Sequence, residues 1–142
     1  MAYTILSDSW RRIQYGVKHT SSDCDQEGFK ASWYRFQFPG APLAKIPHTA
    51  PLPQYVEADQ QTCGTNAPAW MEESPPLIGD PPKDVTFNFA WGSNPKDQSA
   101  DGKVVACAEG GETMFLYYLP QVPMCTRAYC ALEYGEKTSI IT

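Results

Sequence analysis

Five cysteines, two histidines and one acidic run are the residues of this chain whose types and spacing bear on chemistry. Cys24 and Cys63 lie far upstream of Cys125 and Cys130, with Cys107 between the two sets. Bridges joining the sets would close long loops, and each would contribute about 4 kcal/mol in the chain-entropy account of disulfides. Zinc is the alternative chemistry for thiolates. Zinc ligands usually come in close pairs with about two to four residues between them, completed by histidine. Only Cys125 and Cys130 approach that spacing, and the two histidines sit in unrelated segments. An odd cysteine count leaves at least one thiol free or paired outside the chain.

The acidic run Asp97-Gln98-Ser99-Ala100-Asp101-Gly102 matches the first half of a calcium-binding loop, with oxygens at alternate positions and glycine closing the turn. The second half fails, because Ala108 stands where a bidentate glutamate is needed and Glu109 comes one residue late. A polar hairpin loop is therefore the plainer reading, with calcium at Asp97, Ser99 and Asp101 as the alternative. His19, in a Lys-His-Thr-Ser-Ser stretch, and His48, in a Pro-rich one, have no nucleophile motif beside them. Nucleophilic catalysis needs a base within hydrogen-bond reach, so no catalytic residue is assigned and the chain is not expected to be an enzyme. Arg11 and Arg12 suit carboxylates inside the fold or an anionic ligand.

The elements that must position these residues read as β. Ser32 to Phe38 places Tyr34, Phe36 and Phe38 on one face, and Val85 to Trp91 places Val85, Phe87, Phe89 and Trp91 on one face. Lys103 to Ala108 and Thr113 to Leu119 flank Glu109-Gly110-Gly111-Glu112, a strong hairpin signal. Helix signal is thin, limited to a short turn through Trp10 to Tyr15 capped by Ser7-Asp8-Ser9. Three stretches read as loop: Pro39 to Pro53, Glu72 to Pro82, and Gly92 to Gly102. The expected fold is mostly β, a single disulfide-stapled β-rich domain with long Pro-rich loops and little helix.

Composition bounds the rest. At 142 residues with 42% hydrophobic and 13% aromatic content, the chain can bury a real core. A net charge of -5 argues against nucleic acid. No stretch reaches the roughly 18 apolar residues of a membrane-spanning helix.

Several phrases together resemble the cysteine-rich domain of the uromodulin family, often called the D8C domain. They are Tyr3-Thr-Ile-Leu-Ser-Asp-Ser-Trp-Arg11, Cys24-Asp25, Trp33-Tyr-Arg-Phe36, Cys63-Gly-Thr-Asn-Ala-Pro-Ala-Trp70, Val104-Val-Ala-Cys107, Tyr117-Tyr-Leu119 and Cys125-Thr-Arg-Ala-Tyr-Cys130. They run in family order over about residues 3–131, leaving 132–142 as a C-terminal tail of the one domain spanning residues 1–142. The resemblance implies Cys24–Cys125 and Cys63–Cys130 disulfides. It leaves Cys107 without the partner that relatives carry upstream, either as a buried free thiol or as an intermolecular bridge. It also implies a structural role for Arg11 and core positions for Trp10, Trp33 and Trp70.

Uromodulin-like domains carry N-glycans that act as decoys for bacterial lectins, but this chain holds no N-x-[ST] sequon. Asn66 precedes Ala-Pro, Asn88 precedes Phe-Ala and Asn94 precedes Pro. The expected function is a secreted, non-catalytic binding or adhesion module that meets an extracellular protein or glycan, with self-assembly into an oligomer open. The alternative is a lectin-like carbohydrate binder. Candidate contacts are Trp91, as the exposed aromatic, with Asn94, Asp97, Asp101 and Arg12.

Overall fold

The turn at Gly110-Gly111 sets the architecture. Both glycines have positive φ (57° and 82°), as a tight primed hairpin turn requires, and Glu109 pairs directly with Glu112 across it. The structure, a computed structural model, describes residues 2–13, 24–25, 28–50, 63, 65, 67–91, 94–122 and 127–134. Along the chain run β1 (Thr4–Leu6), a short 3-10 turn (Ser9–Arg11), β2 (Ser32–Phe36), β3 (Ala44–Lys45), β4 (Ala67–Met71) and β5 (Lys83–Trp91). Then follow β6 (Asn94–Glu109), β7 (Glu112–Leu119), β8 (Arg127–Ala128) and β9 (Leu132–Glu133). Seven of these strands form one sheet in the order β1-β2-β7-β6-β5-β4-β8, while β3 and β9 pair separately. The outermost pairings, β1 with β2 and β4 with β8, are parallel, and the pairings between them are antiparallel.

One face of the curled sheet carries the main core. Tyr34, Phe36, Met71, Val85, Phe87, Phe89, Val104, Phe115, Tyr117 and Leu119 point into it. Tyr129, arriving from the C-terminal segment, lies edge-on to Phe87 and Phe89 with ring centres 5.6 and 5.5 Å away. Its hydroxyl donates to the Pro120 carbonyl at 2.7 Å, satisfying the polar end of a fully buried ring. The Tyr117 hydroxyl similarly accepts from the Ile46 amide at 3.1 Å. On the opposite face, among the described residues, Trp70 packs on Ala90 at one end, and a second cluster sits toward the hairpin. There Leu43 packs on Met114 and Leu116, with Trp33, Val105 and Cys107 around them.

Several sequence expectations change. Gly92 to Gly102 is not a loop across its length, because Asn94 to Gly102 belongs to β6 and pairs with β5 (Val85 with Gly102, Phe87 with Ala100, Phe89 with Gln98). Apolar alternation is missing from this part of β6 because β5 supplies the volume, laying the Phe87 ring over the small residues Ala100 and Gly102. A Cβ at Gly102 would stand 2.5 Å from the Phe87 ring and 2.3 Å from the Tyr118 carbonyl oxygen.

The Pro39 to Pro53 stretch contains β3, and its partner β9 lies in the segment read as a tail. Ordered packing therefore runs at least to Tyr134, whose amide donates to the Leu43 carbonyl and whose hydroxyl bonds the Thr113 carbonyl. The expected turn shortens to Ser9–Arg11 without a side-chain cap from Asp8, and Arg12 already bridges to Ala131. Tyr15 lies outside the described residues. Of the three tryptophans expected in the core, Trp70 is buried while Trp10 and Trp33 are half-buried.

Candidate functional site

Two groups of polar side chains differ in what remains available to a ligand. The first closes the inner core. Arg11 reaches Asp25 through two bonds of 2.7 Å, one to each carboxylate oxygen, and also donates to the Tyr129 carbonyl at 2.9 Å. Asp25 in turn accepts the Tyr129 amide at 2.9 Å. Both charged side chains are buried, and Trp10 stacks on the guanidinium at 4.3 Å. Burial alone would pull the Arg11 guanidinium down, but hydrogen bonds and charge from Asp25 and Asp8 outweigh it and hold it above its ordinary value. Beside this pair, Cys63 and Cys130 form a disulfide packed among Ile13, Trp10 and Leu132. Cys24 is also disulfide-bonded, and its expected partner Cys125 lies outside the described residues. Cys107 is a free, half-buried thiol.

The second group lies on the outward face of β4 to β7. At one end a register shift between Phe89 and Trp91 takes Trp91 off the core face where alternation with Val85, Phe87 and Phe89 would put it. Trp91 keeps 43% of its surface exposed, and the Arg127 guanidinium sits 5.5 Å from its ring while pairing with Asp97. Arg127 thus joins two candidate residues, Trp91 and Asp97, through a register invisible in the sequence. Asn94 is exposed and its side-chain oxygen accepts the Lys96 amide at 3.1 Å. Arg12 turns inward, paired with Glu133 and 5.6 Å from the Phe38 ring.

The calcium reading is corrected. Asp97, Ser99 and Asp101 stand on an extended strand, where alternate residues are roughly 6.6 Å apart and cannot curl round one ion. Each is engaged across the sheet instead: Asp97 with Arg127, Ser99 with Asn88 at 2.7 Å, and Asp101 with Thr86 at 3.4 Å. Among the described residues no group of three or more His, Cys, Asp and Glu could hold a metal. His48 is exposed, and His19 lies outside the described residues.

Further along the same face, Asp84, Lys103, Tyr118 and Trp33 form one row across four strands, each the cross-strand partner of the next. None of Asp84, Lys103 and Tyr118 was singled out from the sequence, because only the register brings them together. With Glu73, Thr86, Asp101 and Gly102 they line an open depression of about 430 Å3. Lys103 bonds Asp84 at its rim, and Glu73 accepts the Thr86 amide at 2.8 Å.

A curled sheet locked by disulfides and a buried Arg–Asp pair, with its spare polar groups on strand faces, defines a disulfide-stapled β module. The chain belongs to the uromodulin-like D8C domain family, whose model matches residues 34–131. Among curated proteins, it is 32% identical over 129 residues to the rat pancreatic secretory granule membrane major glycoprotein GP2, covering 90% of this chain and 22% of that protein. It is 29% identical over 128 residues to rat uromodulin, covering 90% of this chain and 17% of the relative. Human GP2 is 26% identical over 136 residues, covering 96% of this chain and 22% of the relative. The chain thus spans about a fifth of the length of these relatives.

Proposed function

We propose that this chain is a secreted, non-catalytic module that binds an extracellular protein. A secreted setting is supported by its disulfides, which persist in oxidising surroundings, and by its similarity to a secretory granule glycoprotein. The observation that carries protein binding is the loop between β4 and β5. Leu77 is 75% exposed and Ile78 49% exposed at its tip. The loop is pre-ordered: the Leu77 amide donates to the Asp80 carboxylate at 3.0 Å, the Asp80 amide returns to the Leu77 carbonyl at 3.1 Å, and Gly79 supplies a φ of 95°. Pro75-Pro76 and Pro81-Pro82 stiffen both flanks. Apolar side chains held in fixed geometry lose little entropy on binding, which suits a protein contact.

The test is a panel of purified extracellular proteins probed with the disulfide-intact chain and with a Leu77→Asp, Ile78→Asp variant. Saturable binding that the variant abolishes supports the reading. No binding by the parent chain, or equal binding by both, rejects it.

A second reading, saccharide binding, is favoured by aromatic rings held at the outward sheet face, Trp91 and Tyr118, with polar groups beside them. A glycan array without saturable signal removes it.

A further inference from the structure

We propose that the depression between β5, β6 and β7 is a subsite for one uncharged pyranose unit of a glycan. The inference rests on the saccharide-binding reading and moves its centre from Trp91 to Tyr118. Three features make this patch more than a solvated sheet face.

The first is the mixture of groups. A pyranose offers hydroxyls that both donate and accept, and an apolar ring face. Asp101, Asp84 and Glu73 supply acceptors, Lys103 a donor, Thr86 both, and Tyr118 an aromatic wall, all round one depression. Its volume of about 430 Å3 falls in the range of about 300–1,000 Å3 usual for small-ligand sites.

The second is rigidity. Each of these groups except Glu73 stands on a paired strand, and Tyr118 is braced by Trp33, edge-on at 5.7 Å and 70°. Gly102 lets the floor lie close against the Tyr118 carbonyl and the Phe87 ring, where a Cβ would collide. Asp101 and Lys103, its two chain neighbours, are held in register by pairing with Thr86 and Asp84 on one side, and Lys103 with Tyr118 on the other.

The third is spare bonding capacity. The Asp101 bond to Thr86 is long, at 3.4 Å, and Asp84 is 85% exposed while pairing with Lys103. These groups can turn to a ligand without breaking a buried network. This is the opposite of Asp25, whose two oxygens are committed inside the core. Because Lys103 is balanced by Asp84 and further carboxylates stand nearby, the patch disfavours sulfated or sialylated sugars, and an uncharged unit fits it best.

The experiment is a backbone-amide NMR titration of the disulfide-intact chain with the methyl glycosides of glucose, galactose, mannose and N-acetylglucosamine, run beside a glycan array. Saturable shifts centred on Thr86, Asp101, Lys103 and Tyr118 are expected with one of them. Asp101→Asn and Tyr118→Ala are each expected to weaken that binding at least tenfold, and Trp91→Ala less than twofold. Unchanged thermal unfolding of Asp101→Asn shows that the loss is not one of folding. Shifts centred on Trp91 and Asn94, abolished by Trp91→Ala, would overturn this subsite while leaving the saccharide reading standing. A silent array with no saturable shift would overturn both.

Discussion

The closure around Asp25 and the depression around Asp101 are built from the same parts, a carboxylate, a cation and aromatic rings, and they serve opposite ends. In the first, Arg11 and Asp25 side chains are 5% and 3% exposed, and both carboxylate oxygens are taken by Arg11 and the Tyr129 amide. In the second, Lys103 and Asp84 are 50% and 85% exposed and share a single contact. Burial makes the first pair costly to break and useless to a ligand, because an uncompensated charge in the interior loses its hydration with nothing in return. Solvent makes the second pair nearly free to rearrange. What separates scaffold from binding surface here is the depth at which a charge sits, not its identity.

The sharpest way to break that contrast is Asp25→Ala. It strands the Arg11 charge and strips the Tyr129 amide of its acceptor, and it should cost about 3–5 kcal/mol in urea unfolding. A loss under about 1 kcal/mol would mean that the pair does not hold the closure. Replacing Cys63 and Cys130 together by serine releases a bridge spanning 67 residues and should cost about 4 kcal/mol. A melting temperature equal to the parent's would leave the closure to Arg11 and Asp25 alone.

Gly102→Ala forces a methyl against the Tyr118 carbonyl and the Phe87 ring. We expect a loss of about 1–3 kcal/mol, with faster amide exchange in β6 and β7. Exchange rates unchanged from the parent would show that the floor of the depression yields.

Alkali tests the inner side as a whole. Burial pushes the Tyr134 hydroxyl up to about 12 and moves Tyr117 and Tyr129 upward as well. A phenol whose folded value lies above its ordinary 10.0 favours the fold fully below pH 10, and that contribution drains away as pH rises through 12. Phenolate absorbance for these rings should therefore appear only with loss of the β signal in circular dichroism, between about pH 10 and 12. Ionisation while the dichroism stays native would contradict their burial. The smallest effect is expected of Asp84→Ala, which should leave the unfolding midpoint within error; a clear fall would make the outer pair structural too.

Much of the scaffold was legible because its signals are local. The alternation in Val85 to Trp91 and the two glycines before Glu112 each depend on neighbours a few positions apart, and both elements are present. The family phrases carried the disulfide Cys63–Cys130 and the structural role of Arg11. The lower part of β6 was not legible, since Gln98, Ala100 and Gly102 are chosen to fit beneath Phe87 and Phe89, not to look apolar themselves. β3 and β9 were missed because two-residue strands hold no period; only their meeting defines them.

The candidate site shows the same division more severely. Trp91, Asn94, Asp97 and Asp101 stand out in one stretch as polar or aromatic residues, but the fold gathers only Trp91 and Asp97, both on Arg127, while Asn94 holds the Lys96 amide and Asp101 faces Thr86. The row Asp84, Lys103, Tyr118 and Trp33 comes from four strands and leaves no mark in any one of them.

By itself, then, the sequence determined the family, the β class, the hairpin at Gly110-Gly111 and the lack of any N-x-[ST] sequon in this chain. These are properties of residue type and short-range order. Only the tertiary structure decided which charges are locked and which are open, that an apparent calcium loop is a strand, and where donors, acceptors and an aromatic ring converge. Those depend on cross-strand register and burial, which are set by packing between segments far apart in the chain.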